Sequence, residues 1–217
     1  MRGLLTGTDA AGAAERARPA RADGRRLRSA RTRQLIIEAY LALLRESPQI
    51  PTAVSIAHRA GYSVRSIFER FPDLHALRVA ATDDAMMRVA AQVASERPVG
   101  SRAERVRLHV ETRGRVCDEW LPLWRALNAN QGDSADLKSR IRLIRELVIR
   151  RLDDVYTPEL STLEERERRQ TVLALEALVD FESWARLREH FALSFEEACD
   201  VWTRAIDRLL PETPPVS

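Results

Sequence analysis

The sequence has few of the residues that build disulfide frameworks, β-sheets or membrane spans. Its two cysteines, Cys117 and Cys199, form no CxxC pair, and it contains only 8 glycines. Runs of β-branched residues are scarce, and no apolar stretch approaches the ~20 residues that a membrane helix requires. These shortages argue against a disulfide-stabilised fold, a β-sandwich or barrel, and a membrane protein. We therefore expect a cytoplasmic protein with buried free thiols.

Lysine is nearly absent, because Lys138 is the only lysine among 35 basic residues. Arginine therefore carries the positive charge, and its distribution is uneven. Residues 1–78 hold 14 arginines against 7 carboxylates, a net charge of +7, whereas residues 79–217 hold 21 basic residues against 25 carboxylates, a net charge of −4. A basic first segment before an acidic remainder predicts that the first segment binds a polyanion.

Alanine, leucine, arginine and glutamate, which are good helix formers, dominate the composition. Apolar residues recur at spacings of three and four from near Ser29 onward, which predicts an all-α fold of about nine helices and no strand. Residues 1–28 lack this periodicity, so we expect them to form a flexible arginine-rich arm. Capping boxes predict helix starts at Ser101–Glu104, Ser161–Glu164 and Ser194–Glu197.

Two of the predicted helices are short and are joined by a glycine-containing turn, which is the pattern of a helix-turn-helix. They span residues 52–60 and 63–71. Thr52 and Ser63 are good N-cap residues, and Gly61 suits a turn that a Cβ would disfavour. Because the N-terminal end of the second helix enters the major groove in such motifs, residues 63–68 are candidate base readers. The alternative is an ordinary helix pair within a bundle.

The stretch from Ile56 to Leu77, IAHRAGYSVRSIFERFPDLHAL, resembles the signature of the tetracycline-repressor (TetR) family. The resemblance rests on an alanine, a glycine four residues later, a hydroxyl cap, an aromatic pair and a final Ala-Leu. It implies a three-helix DNA-binding domain at 29–76 and a helical ligand-binding and dimerisation domain at 77–217. It further implies a homodimer that binds a palindromic operator in double-stranded DNA, usually represses, and is released by a small-molecule effector.

The resemblance also assigns DNA contacts by position. Two positions depart from the family pattern, since Phe68 lacks the hydroxyl of the usual tyrosine and Leu74 lacks the usual cation. We expect arginines of the arm to replace the lost phosphate contacts. The predicted DNA-binding residues are Arg26, Arg28, Arg31, Arg33, Thr52, Ser63, Val64, Arg65, Ser66, Phe68 and Arg70.

The remainder of the chain offers candidates for a ligand pocket and a dimer interface. Trp120 and Trp124, one helical turn apart, lie close in sequence to Arg113 and Cys117, and together they could line a pocket in which Arg113 pairs with an anionic ligand. Core packing is the alternative for the tryptophans. Apolar stripes of the last helices predict a four-helix dimer interface, with filling of the monomer core as the alternative. The predicted interface residues are Leu175, Leu178, Phe195, Trp202 and Ile206.

Nothing in the sequence groups residues for catalysis or for metal binding. The four histidines, His58, His75, His109 and His190, are isolated from one another, and no HExxH motif or glycine-rich phosphate loop is present. We therefore expect neither an enzyme nor a metal or cofactor site. A second hypothesis keeps the helix-turn-helix but makes the C-terminal domain a protein-interaction module without an effector.

Overall fold

The computed structural model describes residues 9–47, 49–95 and 99–215, apart from the side chains of residues 9–23, 25 and 95. All regular elements in these ranges are helical, which confirms the all-α prediction. The chain forms two compact units whose boundary in the sequence lies between Arg78 and Val79. None of the described helices is long and apolar enough to cross a membrane.

The first unit contains α1, α2, α3 and the start of α4, and the second contains the rest. The helices are α1 (Asp9–Glu46), α2 (Ala53–Ala60), α3 (Val64–Phe68), α4 (Leu74–Ser95), α5 (Arg102–Asn130), α6 (Ala135–Val155), α7 (Thr157–Leu160), α8 (Glu165–Leu178), α9 (Phe181–Ala185) and α10 (Phe195–Leu209), with a π-helical turn at Arg186–His190 after α9.

Helix α1 begins at Asp9, so the predicted helix start near Ser29 is wrong. Residues 9–28 of the expected arm are helical, and residues 1–8 lie outside the described ranges. Periodicity misses this segment because periodicity detects burial, whereas the segment owes its helix to alanine and arginine, which have high intrinsic helix propensity.

The first unit packs α1 against α2, and α2 against α3. Its core consists of aliphatic and aromatic side chains that are at most 5% exposed. They are Ile36, Ile37, Ala39, Tyr40, Leu41, Leu44, Ile56, Ala57, Ile67, Phe71 and Leu77.

The second unit is built around α5, which packs against α6, α9 and α10. The capping boxes at Ser101 and Ser194 form as predicted. The one predicted at Ser161 is wrong, because α8 begins at Glu165 and its N-cap residue, Glu164, makes no side-chain cap bond. Pro122 does not interrupt α5, since buried neighbours on both sides hold the helix together.

The chain leaves the helical conformation at Val179–Asp180, between α8 and α9. Asp180 caps the new helix α9 by accepting a hydrogen bond from the backbone N–H of Glu182 at 3.1 Å. This side-chain bond offers the backbone an alternative to the helical ladder. The break turns Phe181 and Trp184 into the core, where they are 5% and 0% exposed.

The indole of Trp184 packs directly against Gly114 of α5. A Cβ built at position 114 would lie 2.7 Å from the Trp184 ring and 3.1 Å from the Phe195 ring. We predict that Gly114→Ala lowers the free energy of unfolding by about 1–3 kcal/mol, as overpacked cores do. Chemical denaturation monitored by circular dichroism measures this loss.

Gly24→Ala is the matched control, because a Cβ there meets only the flexible end of Arg28 at 3.8 Å. Helix propensity alone favours alanine over glycine by about 1 kcal/mol, so the control should be neutral or stabilising. Equal effects of the two substitutions would contradict the steric role assigned to Gly114.

Candidate functional site

The predicted helix-turn-helix forms from α2 and α3. Thr52 Oγ1 accepts a hydrogen bond from the N–H of Ser55 at 3.2 Å, and Ser63 Oγ accepts one from the N–H of Ser66 at 3.1 Å. Gly61 lies between the helices with φ of 73°, a left-handed conformation that glycine adopts without strain. These two capping bonds and the glycine conformation fix the start and end of α2 and the start of α3.

The outward side of α3 carries most of the predicted base readers. The Arg65 side chain is 88% exposed and pairs with Glu69 at 3.1 Å, one turn further along. Phe68 is 46% exposed. Ser63 is exposed, whereas Val64 and Ser66 are half-buried. This side of α3 therefore combines one long cation, two hydroxyls and an apolar ring.

Two predicted DNA-binding arginines are engaged within the first unit. Arg33 lies with its guanidinium 4.9 Å from the centre of the Phe71 ring, a cation–π contact. The Arg70 side chain is 29% exposed, and its Nε is buried without a hydrogen-bond partner. The Arg70 side chain is therefore only partly exposed. Arg26, Arg28 and Arg31 are exposed on α1.

Two contacts between residues far apart in the sequence join α1 to the helix-turn-helix. Thr32 Oγ1 lies 3.4 Å from the hydroxyl of Tyr62, the residue after Gly61. Arg59 donates to both carboxylate oxygens of Glu46, at 2.8 and 2.6 Å, and these bonds hold the pKa of Glu46 below its usual range. The partners are 30 and 13 residues apart, so no local pattern signals them.

A cavity of about 440 Å³ lies within the second unit between side chains of α4, α5 and α6, with Phe181 of α9. Arg113, Trp120 and Trp124 line it. Cys117 does not, so its prediction as a lining residue is corrected. At 100° per residue Cys117 lies on the flank of α5, between the cavity side and the side that meets Trp184. Its burial raises the pKa of its thiol to about 12.

A polar pair that the sequence did not reveal lies at the cavity wall. His109 lines the cavity and shares a hydrogen bond of 2.7 Å, through Nδ1, with the hydroxyl of the buried Tyr156. Burial, together with the positive charges of Arg113 and Arg151, lowers the pKa of His109 to about 3. His109 is therefore neutral in the folded protein near pH 7.

Three of the five predicted interface residues are part of the core of the second unit. Leu175, Trp202 and Ile206 are 0% exposed and cannot contact a partner directly, so the prediction is wrong for them. Leu178 and Phe195 are half-buried. An apolar stripe indicates that a helix face is covered but not by which chain. Here other helices of the same chain cover these residues.

No cluster of three or more His, Cys, Asp or Glu side chains suited to a metal ion occurs among the described residues. Both cysteines are free and buried.

No protein-family model and no curated protein matches the sequence. Solved structures do match the fold. A transcriptional regulator from Rhodococcus sp. Rha1 is 16% identical with a TM-score of 0.67, over 84% of this chain and 99% of that one. A TetR-family transcriptional regulator from Streptomyces coelicolor is 19% identical with a TM-score of 0.66, over 82% of this chain and 80% of that one.

A third similar structure is the multidrug binding protein EbrR in complex with imidazole. It is 21% identical to this chain, with a TM-score of 0.53, over 85% of this chain and 97% of that one. At these identities the likeness is one of fold. The chain therefore has the fold of TetR-family transcriptional regulators, with an N-terminal helix-turn-helix followed by a helical domain.

The low pKa of His109 predicts a pH dependence of stability. In the unfolded chain the pKa returns to about 6.5, so the unfolded state binds the proton first as the pH falls. The contribution of neutral His109 to the free energy of unfolding is therefore fully present above pH 6.5. It is lost as the pH falls toward 3. We predict that between pH 7 and pH 5 the wild type loses about 2 kcal/mol more unfolding free energy than His109→Gln.

Denaturant titrations at the two pH values measure this difference. His190→Gln is the control, because His190 is exposed, and its loss should equal that of the wild type. A loss of the same size in His109→Gln as in the wild type would show that His109 titrates normally.

Proposed function

We propose that this protein is a sequence-specific DNA-binding transcription regulator that acts as a homodimer and is released from its operator by a small molecule. The observation that carries the proposal is the exposed side of α3, where Arg65 extends into solvent beside the capped start of the helix. The net charge of +7 over residues 1–78 supports it, as does the fold shared with transcriptional regulators.

The geometry of α3 supports the proposed contact with DNA. A five-residue helix with a free N-terminal end can enter the major groove of B-DNA, where side chains at that end reach base edges. Arg65 is the long donor at that end, and guanidinium groups bind the O6 and N7 atoms of guanine bidentately. Thr52 and the exposed arginines of α1 are suited to phosphate contacts.

A homodimer through α8 is supported by an exposed stripe on that helix. Leu173 is 47% exposed, and Ala174 and Ala177, on the same side of the helix, are also exposed. Small side chains let a second helix approach closely, and a two-fold axis places the same stripe on both partners. Leu173 with these alanines replaces the buried residues first predicted. Two copies of α3 then read the two halves of a palindrome.

The cavity favours an effector over the alternative of a protein-interaction module. A module without an effector would have a filled interior, whereas about 440 Å³ lie open among apolar side chains, a volume typical of small-molecule sites. Thr82, Ala85 and Val89 of α4 line the cavity, and α4 begins at Leu74, directly after the helix-turn-helix. A ligand that favours one position of α4 would thereby change DNA affinity.

Selection of genomic DNA fragments by the purified protein at moderate salt tests the regulator function. We predict enrichment of a palindrome, and a lack of any enriched sequence would refute the function. Arg65→Ala should reduce the ratio of operator to nonoperator affinity by roughly 5- to 150-fold, because a base contact is lost.

Arg107→Ala, at a 65% exposed side chain of the second unit, is the matched control and should leave this ratio unchanged. Glu69→Gln removes the carboxylate that pairs with Arg65 but keeps the arginine. It therefore separates the loss of Arg65 itself from the loss of this pair. An equal loss of affinity for all DNA in Arg65→Ala would place Arg65 on phosphate instead of on a base.

Sedimentation velocity tests the dimer face. We predict that Leu173→Glu is monomeric at concentrations where the wild type is dimeric, because the substitution places two carboxylates against each other across the two-fold axis. Leu143→Glu, at a 41% exposed leucine of α6, is the control and should remain dimeric. A dimeric Leu173→Glu protein would exclude this face.

A further inference from the structure

We propose that the ligand of the cavity is a monoanion with an apolar body, a medium-chain carboxylate being the simplest example, and that Arg113 binds its carboxylate. This inference rests on the proposal that the cavity is the effector site. The walls contributed by α4, α5 and α6 are mainly apolar. The charged lining residues are Arg113, Arg150, Arg151 and Asp154.

Arg113 differs from the other arginines of α5, all of whose residues are described. Each of the others lies within 4.0 Å of a carboxylate, as in the pair of Arg105 with Glu159 at 2.5 Å and the pair of Arg125 with Glu182 at 3.2 Å. Among the residues whose side chains the structure describes, no carboxylate pairs with Arg113. A half-buried guanidinium beside an apolar cavity is costly unless an anion accompanies it.

The guanidinium of Arg113 is held in place by two contacts that leave its terminal nitrogens available. Its Nε donates to the carbonyl oxygen of Val179 at 2.9 Å. Its carbon Cζ lies 4.6 Å from the centre of the Phe181 ring. A guanidinium fixed in this way presents parallel N–H groups that match the two oxygens of a carboxylate.

The surroundings of Arg113 carry positive potential. His109 precedes it by one turn of α5, lines the same cavity, and is held neutral by burial and by the charges of Arg113 and Arg151. His109 therefore contributes a polar, uncharged group beside the guanidinium. Of the three lining arginines, Arg150 lies 3.9 Å from the carboxylate of Glu146, so Arg113 and Arg151 face the single lining carboxylate, Asp154.

A cationic ligand fits this cavity poorly. Aromatic faces attract cations, but Trp124 stacks on Phe181 with 5.0 Å between ring centres and faces the guanidinium of Arg145 at 5.6 Å. The carboxylate available to a cation, Asp154, is exposed, whereas the unpaired guanidinium is half-buried. Electrostatics therefore select the anion, and the apolar walls bind its body.

The test uses three probes that share one chain, namely decanoate, decan-1-ol and decylammonium, each below its micelle concentration. Binding to the full-length protein is followed by tryptophan fluorescence, since Trp120 and Trp124 line the cavity. We expect decanoate to bind at least tenfold more tightly than decan-1-ol, and decylammonium to bind most weakly. Equal or tighter binding of decan-1-ol, or no binding of any probe up to its solubility or micelle limit, overturns the proposal.

Arg113→Gln assigns the preference to one side chain. It should reduce decanoate affinity by about tenfold to hundredfold, the range for a lost charge-assisted hydrogen bond, and leave decan-1-ol affinity unchanged. Unchanged decan-1-ol binding shows that the cavity is intact. Arg107→Gln, outside the cavity, should retain the full preference. A full preference for decanoate in Arg113→Gln overturns the role of Arg113.

Arg113→Lys provides a second variant should the glutamine protein fail to fold. It keeps the charge but loses the paired donors, so it should retain part of the preference. Full retention overturns the bidentate contact, and a full loss of the kind expected for Arg113→Gln supports it. Operator selection is measured separately on the same wild-type protein. A decanoate preference without any enriched DNA sequence refutes the regulator function alone, whereas DNA binding without a decanoate preference refutes the ligand class alone.

Discussion

The indole of Trp184 lies against Gly114, and the arrangement of the second unit depends on this contact. A Cβ at position 114 would come within 2.7 Å of the ring, so only glycine lets α9 approach α5 so closely. The indole is fully buried, donates from Nε1 to Asp118 Oδ1 at 2.6 Å, and lies 4.7 Å from Trp202 between ring centres. One side chain thus joins α5, α9 and α10 while its own N–H is satisfied.

The cavity is a consequence of this fixed side of α5. At 100° per residue, His109, Arg113 and Trp120 lie at least a quarter turn from Gly114, and His109 and Trp120 lie well over a quarter turn away. Protein interiors are close-packed, and empty volume persists only where the surrounding structure cannot relax into it. Because α5 is held on one side by packing that tolerates no added methyl group, its other side cannot move inward to fill the cavity. The rigidity that protects the core therefore also preserves the cavity.

The helix-turn-helix was predictable because its determinants act over a few residues. The interface and the cavity were less predictable because they depend on contacts between residues far apart in the sequence. Thr52, Gly61 and Ser63 act on backbone groups within a few residues, so the sequence contains their full environment. Leu175 and Trp202 are different, because an apolar stripe looks the same whether the same chain or a second copy covers it. The TetR resemblance indicated a pocket, and α5 periodicity gave three of its four predicted residues. The pairing of His109 with Tyr156 spans 47 residues and has no local signal.

The net charge of the first unit overstates the cations that a DNA backbone can engage. Arg59 is committed to both oxygens of Glu46, and Arg33 to the face of Phe71. Releasing Arg59 would break both of its hydrogen bonds from α2 to Glu46 of α1. Arg65 makes a single exposed bond to Glu69 one turn away, a kind of pair worth only a few tenths of a kcal/mol. Arg65 can therefore leave its partner at little cost. The fold thus separates arginines that stabilise the first unit from those whose guanidinium groups remain exposed and weakly held.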